Sequence, residues 1–219
     1  MIKAFIFDFD GLMIDTEFSS YQTWLDIYKN YQVDLPMSEW IKCVGSSNDD
    51  FDPIRYLRTK TKIKIDEKQL RKEQLIAHKN ISETMPVLPG VIEFIQFAKQ
   101  NRIKLAVASS SSYNWVSTHL ERKNILAQFD FIVTADDVEQ VKPAPDLFIK
   151  VKERFGLKNY EGIVFEDSAH GVEAAKVANL YTVAVPNQIT KNLKFEKADI
   201  ILDNLSSISP NQLLEQFAD

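Results

Sequence analysis

The sequence has little cysteine and no long apolar run, and each absence excludes a class of protein. Cys43 is the only cysteine among 219 residues, so the chain can form neither an internal disulfide nor a cysteine-based metal cluster. The apolar segment near the N-terminus is interrupted by Lys3 and Asp8, so we expect no signal peptide. No run approaches the length that spans a membrane. We therefore expect a cytoplasmic protein that does not contact membranes.

The sequence also lacks an excess of positive charge and the common nucleotide-binding loops. It has 26 basic and 31 acidic residues, a net charge of -5, which argues against a nucleic-acid partner. Neither a glycine-rich dinucleotide loop nor a P-loop sequence is present. With 45% hydrophobic and 26% charged residues, the chain is a globular protein, long enough for one large domain or a core with an insert.

What the sequence does contain, from Pro89 onward, is a regular alternation of strand-like apolar runs and helical segments. Together with an opening strand, Ala4–Phe7, the predicted strands are residues 103–109, 129–134, 162–166, 181–185 and 199–202. The predicted helices between and after them are residues 89–101, 113–123, 145–155, 169–178 and 210–217. This alternation predicts right-handed βαβ units, and hence an α/β fold with a Rossmann-like parallel sheet and helices on both faces.

The region between the first strand and Val87 has a different sequence pattern. It shows no convincing strand, and its helical patterns cover residues 17–31, 37–43, 50–61 and 66–82. We therefore predict two domains. An α/β core domain comprises residues 1–13 and 88–219, and an inserted all-helical domain comprises residues 14–87.

Candidate catalytic residues follow the first strand directly. Asp8 and Asp10 come after the apolar run and are followed by Gly11. Ligands of open α/β sheets bind outside the carboxyl ends of the strands, where these two carboxylates would lie. An Asp-Gly pair after a strand is also an ordinary turn signal, so the assignment depends on partners supplied by other strands.

Three further strands are followed by reactive side chains. The run Ser109 to Ser112 offers hydroxyls and backbone N–H groups for an oxyanion, although it also suits a helix N-cap. Lys142 follows the next strand and is held beside two prolines, and Glu166 and Asp167 follow the one after that. Lys-Pro is commonly a loop, and Asp167 or Ser168 also suits a helix cap. Four strand ends carrying acids, serine and lysine would meet at one edge of a parallel sheet.

The charges of these groups predict a divalent cation. At about 4 Å and an effective dielectric constant near 20, each pair of carboxylates repels by roughly 4 kcal/mol. One divalent cation and Lys142 would offset much of that repulsion. Hard oxygen ligands, without His or Cys among them, favour Mg2+ over zinc.

These motifs resemble those of the haloacid dehalogenase (HAD) superfamily, and more narrowly its beta-phosphoglucomutase-like phosphatase branch. Asp8-Phe9-Asp10-Gly11 is similar to the first motif, Ser109 to the second, Lys142 in Val-Lys-Pro-Ala-Pro-Asp to the third, and Glu166-Asp167-Ser168 to the fourth. Residues 12–17 resemble the segment that leads into a helical cap. The resemblance covers nearly the whole chain, with all four motifs in order.

The resemblance implies a role for each motif residue. Asp8 would attack phosphorus to form an aspartyl phosphate, and Asp10 would protonate the leaving oxygen and then activate water. Ser109, with Ser110, would bind phosphoryl oxygens, and Lys142 would steady Asp8 and the developing charge.

The resemblance likewise implies a metal site and a reaction. Mg2+ would be held by the Asp8 carboxylate, the Asp10 backbone carbonyl and Asp167, with Glu166 binding directly or through water. The dehalogenases of the superfamily lack the second acid, so Asp10 favours phosphate ester chemistry.

In the family, cap residues select the substrate, and two departures here favour hydrolysis over isomerisation. Mutase members have a His four residues before a Trp in the first cap helix, whereas this chain has Ser20 before Trp24. They also have an Arg after a Gly-x-Ser loop, where this chain has Asn48 after Ser47. Ser20, Trp24, Ser47 and Asn48 are thus the candidate specificity residues.

We accordingly expect a monomeric Mg2+-dependent phosphatase for a small phosphorylated metabolite, either a sugar phosphate or a nucleotide-derived monophosphate. The alternatives are a beta-phosphoglucomutase-like isomerase and a non-catalytic phospholigand-binding protein.

Overall fold

The computed structural model describes residues 1–43 and 51–218, and its centre is a six-stranded parallel sheet. The strands are β1 (Ala4–Phe7), β2 (Lys104–Ala108), β3 (Phe131–Val133), β4 (Gly162–Glu166), β5 (Tyr181–Ala184) and β6 (Ile200–Ile201). Their order is β3-β2-β1-β4-β5-β6, with every neighbouring pair parallel. The predicted α/β fold class is confirmed.

β1 lies in the middle of this sheet because its apolar side chains can pack against the hydrophobic clusters on both faces. Phe5 and Phe7 pack into a cluster on one face, and Ile6 packs into a second cluster on the other, as the two-residue repeat of a strand requires. Ala4 pairs with Lys104 of β2 on one side and with Gly162 of β4 on the other. The residues after β1 therefore emerge between the ends of two neighbouring strands.

Five helices from the second part of the chain cover the two faces of the sheet. They are α5 (Val91–Gln100), α6 (Tyr113–Arg122), α7 (Asp146–Phe155), α8 (Ala169–Val177) and α9 (Pro210–Glu215). α5, α6 and α9 contribute to the cluster that contains Phe5, whereas α7 and α8 contribute to the cluster that contains Ile6. Helices on both faces explain why the strands read as continuous apolar runs.

The other helices precede β2 and surround a separate hydrophobic cluster. They are α1 (Thr16–Asn30), α2 (Met37–Trp40), α3 (Pro53–Lys60) and α4 (Glu67–Ser82). The Asp15, Asp52 and Asp66 carboxylates cap α1, α3 and α4 by accepting backbone N–H bonds. Nearly all of the buried cluster lies between Tyr21 and Leu70, and we call it the helical cluster. That the chain divides into two domains at residues 14 and 87 stays a prediction.

One residue from the sheet region joins the helical cluster. Ile189, in the loop after β5, is buried there beside residues of α1 and α3. No helix among the described residues is long and apolar enough to cross a membrane.

Candidate active site

The carboxyl ends of β1 and β4 and the loop after β3 bring a buried lysine against two carboxylates. The Lys142 ammonium forms ion pairs with Asp8 and with Glu166, at 2.6 Å from Glu166 Oε1. It also donates a hydrogen bond of 2.8 Å to the Ala108 carbonyl at the end of β2. Lys142 is 3% exposed and Asp8 is 6% exposed, so these charges interact largely away from water.

Burial and charge shift the pKa values of this group strongly. Burial raises the pKa of Asp8 to about 8, with Lys142 opposing that rise and Glu166 and Asp10 adding to it. Burial, followed by the charges of Asp8 and Glu166, raises the pKa of Asp167 well above its ordinary value. Burial on its own would lower the pKa of Lys142, but the two carboxylates it contacts outweigh that effect and raise it. Burial is thus the main reason that Asp8 and Asp167 hold protons more tightly than free carboxylates do, and the neighbouring carboxylates add to it.

The excess of negative charge fits a divalent cation. Asp8, Glu166 and Asp167 each offer a carboxylate oxygen, and these oxygens lie within 4.8 Å of one another. One buried ammonium, that of Lys142, faces these three buried carboxylates and can offset only part of their charge. A hard divalent cation such as Mg2+ suits these oxygen donors and would neutralise the remainder.

Glu166 is held differently from the other two carboxylates. Its Oε2 accepts hydrogen bonds from the backbone N–H and the hydroxyl of Ser168, at 3.2 and 3.0 Å, and its Oε1 faces Lys142. The side chain fills the space beside Gly171, where a Cβ would lie 2.0 Å from the Glu166 carboxyl carbon. Gly171 therefore permits close packing, and Glu166 is fixed chiefly as a partner of Lys142.

Asp167 has a neighbour that holds it in place. Asn187, in the loop after β5, donates from Nδ2 to Asp167 Oδ2 at 2.7 Å and to the Gly11 carbonyl at 3.1 Å. Gly11 has a φ of +81°, and a Cβ there would lie 2.3 Å from Asp167 Oδ2. The turn after Asp10 thus needs glycine both for its backbone conformation and for space.

Asp10 is surrounded by hydrogen-bond donors. Its Oδ1 accepts from the Thr16 hydroxyl at 2.6 Å and from Trp115 Nε1 at 2.8 Å. Its Oδ2 accepts from the Ser111 hydroxyl at 2.6 Å and, more weakly, from the Ser109 hydroxyl at 3.4 Å. These donors come from the start of α1, the loop after β2 and α6, so three parts of the chain fix the orientation of one carboxylate.

The serines that follow β2 make different interactions. Ser109 is buried and accepts a hydrogen bond from the Ser111 backbone N–H at 3.0 Å. Ser112 caps α6 through its hydroxyl, which is the alternative that the sequence leaves open for this run. The Ser110 hydroxyl oxygen is buried and has no hydrogen-bond partner within the part of the chain that the structure describes. An unpaired buried hydroxyl next to this acidic centre is available to a ligand.

A cavity of about 320 Å³ opens beside Asp10. Ser111, Ser112 and Trp115 line it on the side of the sheet. Across from them, the helices α1 and α4 line it with Thr16, Glu17, Ser20, Leu75 and His78. Among the candidate catalytic acids, Asp10 lines this cavity directly, and we call it the substrate cavity.

Two ionisable side chains of the substrate cavity have shifted pKa values. Burial, followed by the charges of Asp10 and Asp8, raises the pKa of Glu17 to about 8. Burial lowers the pKa of His78, against the opposing charge of Asp10, so the ring is neutral at neutral pH. His78 lies 3.1 Å from the Thr16 carbonyl through Nε2, and its ring packs on that of Trp115, with centroids 4.9 Å apart.

The candidate specificity residues fall in three places. Ser20 lines the substrate cavity. Trp24 is buried in the helical cluster, where it packs with other apolar side chains. Ser47 and Asn48 lie outside the described residues, so the structure places neither.

Trp115, His78 and Asn187 belong to the site although their sequence patterns do not predict it. His78 lies in a strongly charged helix, and Trp115 reads as part of an ordinary amphipathic helix. Asn187 lies in the loop after β5, and this position at the carboxyl end of a strand was the sequence signal that could have identified it as a site residue. Long-range packing, which a local pattern does not contain, decides all three positions.

Comparison with known protein families identifies the family to which this chain belongs. The model of the haloacid dehalogenase-like hydrolase family matches residues 5–185, so the chain belongs to that family. The family and fold expected from the four motifs are confirmed.

Relatives with known names agree with this assignment. YhcW of Bacillus subtilis, named provisionally as a phosphatase, is 38% identical over 98% of this chain and 97% of its own. A phosphorylated carbohydrates phosphatase of Thermotoga maritima is 31% identical, over 97% of each chain. The crystal structure of beta-phosphoglucomutase from Clostridium difficile superposes with a TM-score of 0.77 at 25% identity, covering 99% of this chain and 97% of that one. The predicted enzyme class, a phosphoric monoester hydrolase of this family, is confirmed by these phosphatases.

Proposed function

We propose that the protein is a Mg2+-dependent phosphatase that hydrolyses the monophosphate ester of a small metabolite, a sugar phosphate above all. The observation that carries this proposal is the pairing of Asp8 with Lys142 beside an Asp10 that is held by four side-chain donors. The relatives named as phosphatases, one of them for phosphorylated carbohydrates, support the substrate class.

In the first step, an Asp8 carboxylate oxygen attacks phosphorus, and the bond from phosphorus to the ester oxygen breaks. The proton that the departing oxygen needs comes from Asp10, which lies beside the substrate cavity. Ser109, Ser110 and the Lys142 ammonium face the developing charge on the phosphoryl oxygens. The products are an aspartyl phosphate and the free alcohol.

In the second step, water attacks the aspartyl phosphate. Asp10, now ionised, accepts a proton from that water as the new oxygen–phosphorus bond forms and the Asp8 carboxylate leaves. Inorganic phosphate departs, and the enzyme returns to its starting state. Thr16, Trp115 and Ser111 hold Asp10 in one orientation through both steps.

The metal belongs to the same carboxylate cluster. Mg2+ would be held by Asp8 and Asp167 with the Asp10 backbone carbonyl, and when bound it would offset the negative charge shared by the carboxylates and the phosphoryl group. Glu166 would act mainly on Lys142, because its oxygens already face Lys142 and Ser168.

The test is release of phosphate from p-nitrophenyl phosphate and from a panel of sugar monophosphates with Mg2+. We expect turnover by the wild type, its loss on addition of EDTA, and a decrease of at least about 10³-fold in Asp8→Asn, which removes the nucleophile. Equal activity of wild type and Asp8→Asn would refute the nucleophile assignment.

A phosphoglucomutase-like isomerase is the second candidate, because the structure of beta-phosphoglucomutase is similar along nearly the whole chain. The two functions differ in the fate of the phosphoryl group. With beta-glucose 1-phosphate as substrate, free phosphate indicates the phosphatase, whereas glucose 6-phosphate indicates the isomerase.

A further inference from the structure

Asn187, in the loop after β5, joins the two segments of the chain that supply proposed metal ligands. Its Nδ2 atom donates one hydrogen bond to Asp167 Oδ2 at 2.7 Å and another to the Gly11 carbonyl at 3.1 Å. Asp167 follows β4, and Gly11 follows Asp10, whose backbone carbonyl is a proposed ligand as well. Because an amide nitrogen carries two hydrogens, both are used, and one side chain holds the two segments together.

The other half of the Asn187 amide is held by its own loop. Its Oδ1 accepts hydrogen bonds from the backbone N–H groups of Ile189 at 2.8 Å and of Thr190 at 3.1 Å. The Asn187 backbone N–H donates to the Thr190 hydroxyl at 3.0 Å, and both Ile189 and Thr190 are buried. Only one orientation of the amide satisfies the acceptors on one side and the donors on the other. The loop therefore presents Nδ2 to Asp167 in a fixed position.

The two carboxylate oxygens of Asp167 differ because of this contact. Oδ2 accepts the bond from Asn187, whereas no hydrogen bond from a described residue reaches Oδ1. The oxygen that stays free for a cation is therefore Oδ1. A ligand carboxylate that is fixed through its second oxygen is already oriented for the metal, which is how residues behind metal ligands raise affinity.

A neutral amide suits this position better than a charged side chain would. Three buried carboxylates and one buried ammonium already make up the site. An ionised carboxylate in place of the amide would add repulsion and could not donate a hydrogen bond, whereas a second ammonium would compete with the metal ion for the same negative charge. Space is limited too, because a Cβ on Gly11 would lie 2.6 Å from Asn187 Nδ2.

We propose that Asn187 is a positioning residue for the metal: its Nδ2 fixes Asp167 so that Oδ1 stays free for the cation, and it thereby sets the affinity for Mg2+. Its effect on hydrolysis passes through Asp167. This inference rests on the Mg2+ site of the proposed function, and it adds a residue that lies outside the four sequence motifs.

Two variants separate this role from a role in folding the loop. Asn187→Ser keeps a hydroxyl that can accept the N–H groups of the turn, as serine does in turns of this kind, but its side chain is too short to donate to Asp167. Asn187→Ala removes both interactions. Gln188→Ala is the control, because it removes an amide from the next residue, and that amide donates to Asp15 at 2.9 Å instead of to Asp167.

Isothermal titration calorimetry of Mg2+ into the metal-free proteins measures the affinity. We expect Kd to rise about tenfold or more in both Asn187→Ser and Asn187→Ala, as for other residues that hold a metal ligand, and to change less than about twofold in Gln188→Ala. Thermal unfolding in EDTA monitors the fold. The Tm of Asn187→Ser should lie closer to that of the wild type than the Tm of Asn187→Ala does, because the turn is kept.

Hydrolysis of p-nitrophenyl phosphate gives a second measurement. In Asn187→Ser, the Mg2+ concentration for half-maximal activity should rise in proportion to Kd. The kcat at saturating Mg2+ should stay within about threefold of the wild type, because the groups that react with the substrate are unchanged.

Three results would overturn the proposal. One is a wild-type Kd in Asn187→Ser beside a raised Kd in Asn187→Ala, which would assign the amide to the turn alone. Another is an unchanged Kd in both variants, and the third is a rise of equal size in Gln188→Ala. A wild type that binds no Mg2+ would refute the metal site of the proposed function, and this inference with it. A wild type that binds Mg2+ but hydrolyses no phosphate ester would refute the phosphatase function and leave the role of Asn187 intact.

Discussion

At the scale of single residues, two glycines with left-handed backbones differ in what surrounds them. Gly11 has φ +81° and faces Asp167 and Asn187, whereas Gly156 has φ +65° and no atom within 4 Å of the point that a Cβ would occupy. We expect Gly156→Ala to lower the free energy of unfolding by about 1 kcal/mol through backbone strain alone and to keep full activity. Gly11→Ala should also displace Asp167 and reduce kcat at least about a hundredfold.

Denaturant unfolding and steady-state kinetics on the two glycine variants measure these effects. Equal losses of stability with full activity in both would show that the space beside Asp167 does not matter.

Trp115 offers a second prediction at this scale. Trp115→Phe keeps an aromatic ring between His78 and His119 but removes the Nε1–H that binds Asp10 Oδ1. We expect kcat to fall about tenfold or more with a smaller change in KM, because the proposed function gives Asp10 the proton transfers of both chemical steps. An unchanged kcat with a lower Tm would assign Trp115 to packing only.

The pH dependence of stability follows from Asp8 and Glu17. Their pKa values of about 8 in the folded protein exceed the ordinary 3.8 and 4.5, so the folded state binds more protons than the unfolded state between about pH 4.5 and 8. Without metal, the free energy of unfolding should therefore fall as the pH rises through that window.

Glu17→Gln removes part of this dependence. In EDTA at pH 8.5 we expect the variant to be more stable than the wild type by about 1–2 kcal/mol, with little difference at pH 4.5. Thermal unfolding at the two pH values measures this, and Asp26→Asn, which removes a carboxylate from an exposed position of α1, serves as control. A variant that is destabilised at both pH values would contradict the shift assigned to Glu17.

At the scale of elements, the loop after β5 connects two regions. Asn187 holds Asp167 and the Gly11 carbonyl, and two residues later Ile189 is buried in the helical cluster. We expect Ile189→Ala to cost about 2–4 kcal/mol of stability, as for other buried isoleucines, whereas Ile76→Ala on the exposed side of α4 should cost much less. Equilibrium denaturation of both variants checks this, and equal costs would place Ile189 outside the cluster.

The elements themselves were largely predictable, because their signals are local. Apolar runs located the strands and helical periodicity located the helices, so that the ranges predicted from residues 17 and 66 correspond to α1 and α4. β3 was expected from residue 129 but begins at Phe131, because Phe129 is the C-cap of a 3-10 turn, Leu126–Gln128, and pairing with β2 starts only at Phe131. An apolar residue in a turn looks like one in a strand until its pairing partner, here Ala106 opposite Phe131, is known.

At the scale of the whole molecule, the proposed metal site would couple Mg2+ binding to stability. A cation that binds only the folded state raises its stability with concentration, by about 2.7 kcal/mol at a hundred times Kd. We expect Mg2+ to raise the Tm of the wild type and to do so much less in Asp167→Asn. Differential scanning calorimetry with increasing Mg2+ measures the shift, and equal shifts in both proteins would place the metal elsewhere.

The acidic, serine and lysine groups of the candidate site were predictable because the carboxyl ends of parallel strands share one edge of the sheet. Trp115 and His78 were not, since they reach Asp10 and the substrate cavity from helices whose own patterns are ordinary. Their positions depend on how α4 and α6 pack near Asp10. Site residues that follow a strand could therefore be predicted from the sequence, whereas site residues that are placed by the packing of helices could not.

The central position of β1 also has a consequence for the order of folding. Ala4 of β1 pairs with Lys104 and Gly162, which are far away in sequence. Two long loops must therefore close before β1, which precedes Asp8, can form hydrogen bonds with β2 and β4. Apart from Ile189, the helical cluster joins residues that lie much closer in sequence. We expect the helices α1 to α4 to gain protection first in a pulse-labelling hydrogen-exchange experiment during refolding. Asp8 would then reach its working position only in the last cooperative step, and simultaneous protection of β1 and α1 would contradict this order.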